Sequence, residues 1–100
     1  MSVYLMLTTL TDTGRKALQD DPEILKEINK ETEYSGVKIL TQYALLGQYD
    51  FVNIVEAPNN EVVAKLAIRL SAKGTTQTLT LAAISIDDLI STLKENREPW

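Results

Sequence analysis

Gly47-Gln48-Tyr49-Asp50 brings a carboxylate and a phenol together between two β-patterned runs, with a second phenol, Tyr43, a few residues upstream. Held in a cleft, Asp50 would act as a base or hydrogen-bond acceptor, with Tyr49 or Tyr43 as proton donor or ring platform. Neighbouring residues of an extended strand point to opposite faces, so Tyr49 and Asp50 can address one atom only if the turn is bulged. A structural reading competes with this one. Asp50 would then tie down a loop by accepting backbone N–H bonds, while Tyr49 packs with its hydroxyl at the edge.

Around this pair stand residues suited to holding a ligand. Thr76, Thr78 and Thr80 alternate on one side of a β-patterned run, and such a row of hydroxyls either lines a polar pocket or uses threonine's β preference on an exposed edge. Tyr4 and Gln42 are further candidates for a pocket between sheet and helices. Glu56 is too far along its strand to pair with Asp50, at about 20 Å for six residues. Asp20-Asp21 and Asp87-Asp88 resemble cation ligands, but each lies at a helix start, where carboxylates interact favourably with exposed amides. No spacing in the chain calls for a metal or a cofactor.

Composition narrows the chemistry further. The 100 residues include no histidine and no cysteine, which removes the commonest general base, thiolate nucleophiles, disulfides and Cys-ligated metal sites. Acidic residues outnumber basic ones 14 to 10, and the basic ones are scattered, so a phosphate backbone would be repelled and nucleic acid is not an expected partner. No run approaches the ~20 apolar residues of a membrane span, and the start Met-Ser-Val-Tyr lacks a basic leader, so no membrane partner and a cytoplasmic address are expected. Length and composition suit one domain over residues 1–100.

The elements that must position these residues follow from periodicity. Residues 2–9 alternate, with Val3, Leu5 and Leu7 on one face and Tyr4 and Met6 on the other, the period of a strand with two apolar faces. Thr11-Asp12-Thr13-Gly14 reads as a turn with capping side chains. A helix is predicted from about residue 22, with Asp21 as cap and Pro22 at the first helical position, or from 13 with a break, until Gly36 ends it. Val37 to Leu46 reads as a strand carrying Val37, Ile39, Tyr43 and Leu45 on one face. Tyr49 to Glu56 reads as another, carrying Val52 and Ile54, joined to it by a two-residue hairpin at Gly47-Gln48. Asn59-Asn60 offers a cap for a helix with the stripe Val63, Leu66, Ala67 and Leu70, closing at Lys73-Gly74. Thr76 to Ile84 is a fourth strand, and Ile86, Leu89, Ile90 and Leu93 stripe a short final helix.

The resulting order is β-α-β-β-α-β with a helix appended. It is the α+β, ferredoxin-like sandwich in which two helices cover one face of a four-stranded antiparallel sheet. Apolar residues on the other face would then meet water, which predicts that a second copy covers it sheet to sheet, unless the helix at 86–95 folds back over it. Trp100, the only tryptophan, ends the chain after Arg97-Glu98-Pro99 and either docks in a groove or frays.

The residues Gly47-Gln48-Tyr49-Asp50, the run Ile54-Val55-Glu56-Ala57-Pro58-Asn59-Asn60-Glu61, the start Thr8-Thr9-Leu10-Thr11-Asp12-Thr13-Gly14, and Gly74 followed by Thr76-Gln77-Thr78-Leu79 resemble the GYD-domain family. The resemblance covers residues 3 to about 90, and the hairpin is its most specific part. It implies a small protein of the dimeric α/β-barrel group, whose ferredoxin-like domains commonly pair through their sheets, and it assigns no biochemical activity. This chain has Glu23-Ile24-Leu25, Thr75 and Thr80 near positions where relatives often carry arginines, so anion binding through those positions does not carry over.

Three functional expectations follow. The leading one is an oligomeric, non-enzymatic module that self-associates and binds a small organic ligand between sheet and helices. Its rival is a cofactor-independent enzyme, monooxygenase- or isomerase-like, using Asp50 with Tyr43 or Tyr49. The third is a structural or regulatory subunit whose surface binds another protein.

Overall fold

The computed structural model describes residues 1–95; the expectation for Trp100 lies outside them. The elements are β1 (Ser2–Leu10), α1 (Asp12–Asp20), α2 (Ile24–Tyr34), β2 (Lys38–Ala44), β3 (Phe51–Ala57), α3 (Asn60–Ser71), β4 (Thr76–Ala83) and α4 (Ile86–Glu95). The strands form one antiparallel sheet in the order β2-β3-β1-β4, the ferredoxin-like arrangement.

Alternation in β1 sorts the sheet into two faces. Tyr4, Met6 and Thr8 are buried, and their register partners Val55, Asn53 and Phe51 on β3 and Ala82, Thr80 and Thr78 on β4 share their face. Helices cover this side. Val63 and Leu66 of α3 pack with Tyr4, Met6, Val55 and Ala57 into the core, which Val37 completes from the turn between α2 and β2. Val3, Leu5 and Leu7 face the other way, beside Val52 and Ile54 on β3 and Leu79 and Leu81 on β4. No element of the described chain lies over this second face, and Leu79 and Leu81 are each 44% exposed.

Helix one is two helices. The N-cap Thr11 accepts from the Gly14 amide at 3.1 Å and starts α1, and the Asp21 amide, donating to the Ala17 carbonyl at 3.0 Å, closes it. Asp21 then opens α2: its carboxylate accepts from the Glu23 amide at 3.2 Å, and its carbonyl accepts from Ile24. Pro22 and Glu23 form a turn ahead of the helix, whose regular part begins two residues later than expected because these first bonds span three residues rather than four.

Two corrections concern the strands around the signature. β2 ends at Ala44 and β3 begins at Phe51, so the connection is a loop over residues 45–50 rather than a two-residue hairpin. The Leu45 amide donates to the Asp50 carbonyl at 2.7 Å, and Gly47 at φ 125° turns the chain. β2 also shifts register between Ile39 and Thr41, with Leu40 as an extra residue. This bulge reverses the alternation: Ile39 faces the helices while Tyr43 stands on the open face opposite Val52, although regular pleating puts them on one side.

α4 stands apart. It begins after Ser85, whose hydroxyl accepts from the Asp88 amide at 3.0 Å, yet none of its residues is buried and it shares no substantial contact with another element. The molecule extends 60 Å along its longest axis, with a radius of gyration of 16.2 Å, against about 13 Å for a compact chain of this length. The helix does not fold back over the open face.

Candidate functional site

Between α2, α3 and the covered face of the sheet lies a narrow cleft with about 60 Å³ of free space. Its floor and walls are apolar, from Met6, Ile39, Phe51 and Val55 on the strands and Leu25, Ile28, Leu66 and Leu70 on the helices. Polar groups come from Thr8, Thr75, Thr76, Thr78, Asn29, Gln42, Asn53 and Lys73. Apolar and polar residues thus share the lining about equally, the polar ones offering hydroxyls and amides that can orient a bound molecule.

Asn53 is the group sequence reading missed. It sits mid-strand on the covered face, paired in register with Met6 and Gln42, and its Oδ1 is buried without a hydrogen-bond partner. Such an orphan acceptor costs about 1–3 kcal/mol, so its presence in the wall of a cleft is informative. In the sequence, one asparagine interrupts the apolar run Phe51 to Val55.

Three of the expected ligand-binding residues line this cleft. Thr76 and Thr78 face inward from β4; the threonine row therefore faces the helices instead of forming a solvent edge, and the Thr76 hydroxyl is directed at the Leu70 carbonyl at 3.5 Å. Gln42 exchanges two hydrogen bonds with Asn29 of α2, at 2.9 and 3.0 Å, which joins β2 to the helix layer. Tyr4 lies elsewhere. Its hydroxyl donates to Asn60 Oδ1 at the start of α3, beside a second, more open depression that includes Thr80, whose own hydroxyl is buried and unpartnered. At the mouth, Lys73 pairs with Glu31 of α2.

The Asp50–tyrosine group is dispersed. Asp50 Oδ2 accepts from the Leu10 amide at 2.7 Å, and the Asp50 amide donates to the Thr8 carbonyl at 2.8 Å, so this residue stitches the 45–50 loop to the end of β1. A carboxylate–amide bond of that length is charge-assisted and strong. Tyr43 is 62% exposed on the open face, across the sheet from the cleft, and Tyr49 lies half-buried within the loop. Among the described residues, no group of acidic side chains is arranged to hold a metal ion.

The end of β1 is anchored on its other side too. The Thr11 amide donates to the Thr75 carbonyl at 3.0 Å and its hydroxyl to the Gly74 carbonyl at 2.7 Å. Gly14 comes so close that a Cβ there would lie 2.0 Å from the Thr75 oxygen. The signature loop and the Gly14 approach thus meet at one strand end, next to Thr75 and Leu10 of the cleft wall.

The sequence model for the GYD domain matches residues 4–93, taking in the signature loop, both anchors and α4 to Leu93. The chain belongs to the GYD-domain family. Within this GYD domain the aspartate that completes the signature is the residue bonded to Leu10. A protein of Thermus thermophilus named "Glutamine synthetase and cystathionine beta-lyase binding protein" is 46% identical over 95 residues, covering 94% of this chain and all of its own length. No helix among the described residues is long and apolar enough to cross a membrane.

Proposed function

We propose that this GYD-domain protein is an oligomeric binding module whose copies associate through the open sheet face, and which in that form docks on a metabolic enzyme of the glutamine synthetase or cystathionine beta-lyase kind. The observation that carries the enzyme-binding part is the 46% identity with a relative named for binding those two enzymes, over that relative's full length. Partner binding of this sort needs a surface, not a nucleophile. The arrangement of the signature supports that emphasis, because Asp50 holds a loop through the Leu10 amide while Tyr43 faces away from the cleft. Self-association is supported by the apolar residues Leu5, Leu7, Val52, Ile54, Leu79 and Leu81 that share the open face, since contiguous apolar patches beyond a few hundred Å² are uncommon on monomers.

The test is biolayer interferometry with the immobilised protein and the glutamine synthetase and cystathionine beta-lyase encoded by the same genome. Saturable binding to at least one of them at about micromolar Kd is expected, near −8 kcal/mol. Absence of binding to both at about a hundredfold higher concentration contradicts the reading.

The cleft supports a second role beside the first: holding a small organic ligand with an N–H or O–H donor for Asn53 Oδ1. Native mass spectrometry of freshly purified protein tests it. A retained small molecule that disappears in Asn53→Leu is expected, and identical bare masses for both proteins would count against it.

A further inference from the structure

α4 presents Ile86, Leu89, Ile90 and Leu93 at helical spacing, and all four are exposed, at 69, 42, 44 and 64%. The helix has ten residues, below the about 12–15 at which an isolated helix is even marginal in water. An amphipathic helix this short needs something to pack on, and the other described elements of its own chain offer it no substantial contact.

The open sheet face has a matching deficit. Four strands about 4.8 Å apart and about seven residues long cover a footprint of roughly 440 Å², whereas a stable interface takes about 800 Å² from each partner. Sheet-to-sheet contact alone therefore falls well short. One face of a ten-residue helix covers about 150 Å², and in a two-fold pair each copy both gives and receives one such helix, which brings the footprint per copy to about 750 Å².

We infer that α4 is an arm exchanged between two copies: its Ile86, Leu89, Ile90 and Leu93 stripe docks on the second copy and completes the interface that the open sheet face begins. This rests on the self-association proposed above. Exchange explains both surfaces with one occupant, since a second copy brings an apolar sheet face and an unpartnered stripe of complementary size, both among the described residues. The exposure of the α4 stripe and the lack of substantial contact between α4 and the other described elements fit an arm of this kind.

The experiment compares full-length protein with Leu89→Glu/Ile90→Glu on the stripe and Ser91→Glu on the opposite side of α4, by sedimentation velocity and hydrogen exchange. Because α4 touches little of its own chain, the stripe variant should keep the circular dichroism of a folded sheet domain. Its dimer dissociation constant is expected to rise at least about 100-fold, with loss of the protection that α4 amides show in the parent protein, while Ser91→Glu leaves both unchanged. A stripe variant that associates as tightly as the parent, with α4 amides exchanging freely in both, overturns the arm and leaves self-association standing. Equal dissociation by Ser91→Glu also overturns it. A parent protein that is monomeric at about 100 times a micromolar Kd removes both.

Discussion

Gly14→Ala separates helix propensity from tertiary contact. Gly14 lies in the first turn of α1, where replacing glycine by alanine ordinarily stabilises by about 1 kcal/mol. Here the new Cβ would sit 2.0 Å from the Thr75 carbonyl oxygen, a backbone atom that cannot rotate away. Either α1 or the Gly74-Thr75 turn must shift. Overpacking of this kind costs about 1–3 kcal/mol, and a shift also loosens the Thr11 bonds to Thr75 and Gly74, each worth about 1 kcal/mol. After the propensity gain, the net loss is about 2–4 kcal/mol, or about 10–25 °C in Tm for a domain of this size. Differential scanning calorimetry reads it, with Gly36→Ala as the contrast. Gly36 has φ +90° and open space around it, so alanine there costs only the left-handed strain of about 1–2 kcal/mol. A Gly14→Ala protein as stable as the parent, or more so, refutes the close approach.

Asn53→Leu should stabilise the protein by about 1–2 kcal/mol, because it removes a buried acceptor without a partner from an otherwise apolar wall; a urea midpoint lower than the parent's would argue against this. Asp50→Ala should cost about 1–3 kcal/mol by stranding the Leu10 amide, with new protease cleavage within residues 45–50 as a second readout, and unchanged stability and resistance would show that the loop does not depend on that bond. Leu7→Glu, in the middle of the open face beside Val52 and Leu79, should convert the protein to monomers in size-exclusion chromatography with light scattering while leaving its fold intact by circular dichroism. An assembly unaffected by that charge would place the interface elsewhere.

Much of this architecture is legible in the sequence because local signals agree with the global arrangement. The alternation of β1, the Asn59 cap and Val63–Leu66 stripe of α3, and the threonine period of β4 each specify their element, although the threonine period alone does not say that the hydroxyls face the helices. The bulge at Leu40 is not legible, since an inserted residue leaves the hydrophobic content of β2 unchanged while reversing the face of everything after it; Tyr43 is misplaced for that reason. The hairpin is wider than its glycine suggests: its last cross-strand bond runs from the Leu45 amide to the Asp50 carbonyl, and the Asp50 amide and side chain are bonded across to β1. Long-range contacts of this kind, like the approach of Gly14 to Thr75, depend on residues some 40 to 60 positions apart and leave no local pattern. In the cleft lining, the period of Thr76 and Thr78 is visible in the sequence, whereas a lone amide among apolar neighbours, as at Asn53, carries no period.

The most direct test of the account is native mass spectrometry of freshly purified full-length protein at low salt. If the open sheet face is covered by a second copy, the dominant species has a mass of an even multiple of 11.2 kDa. A spectrum containing only the 11.2 kDa chain, at concentrations where a stable interface would be saturated, would contradict it.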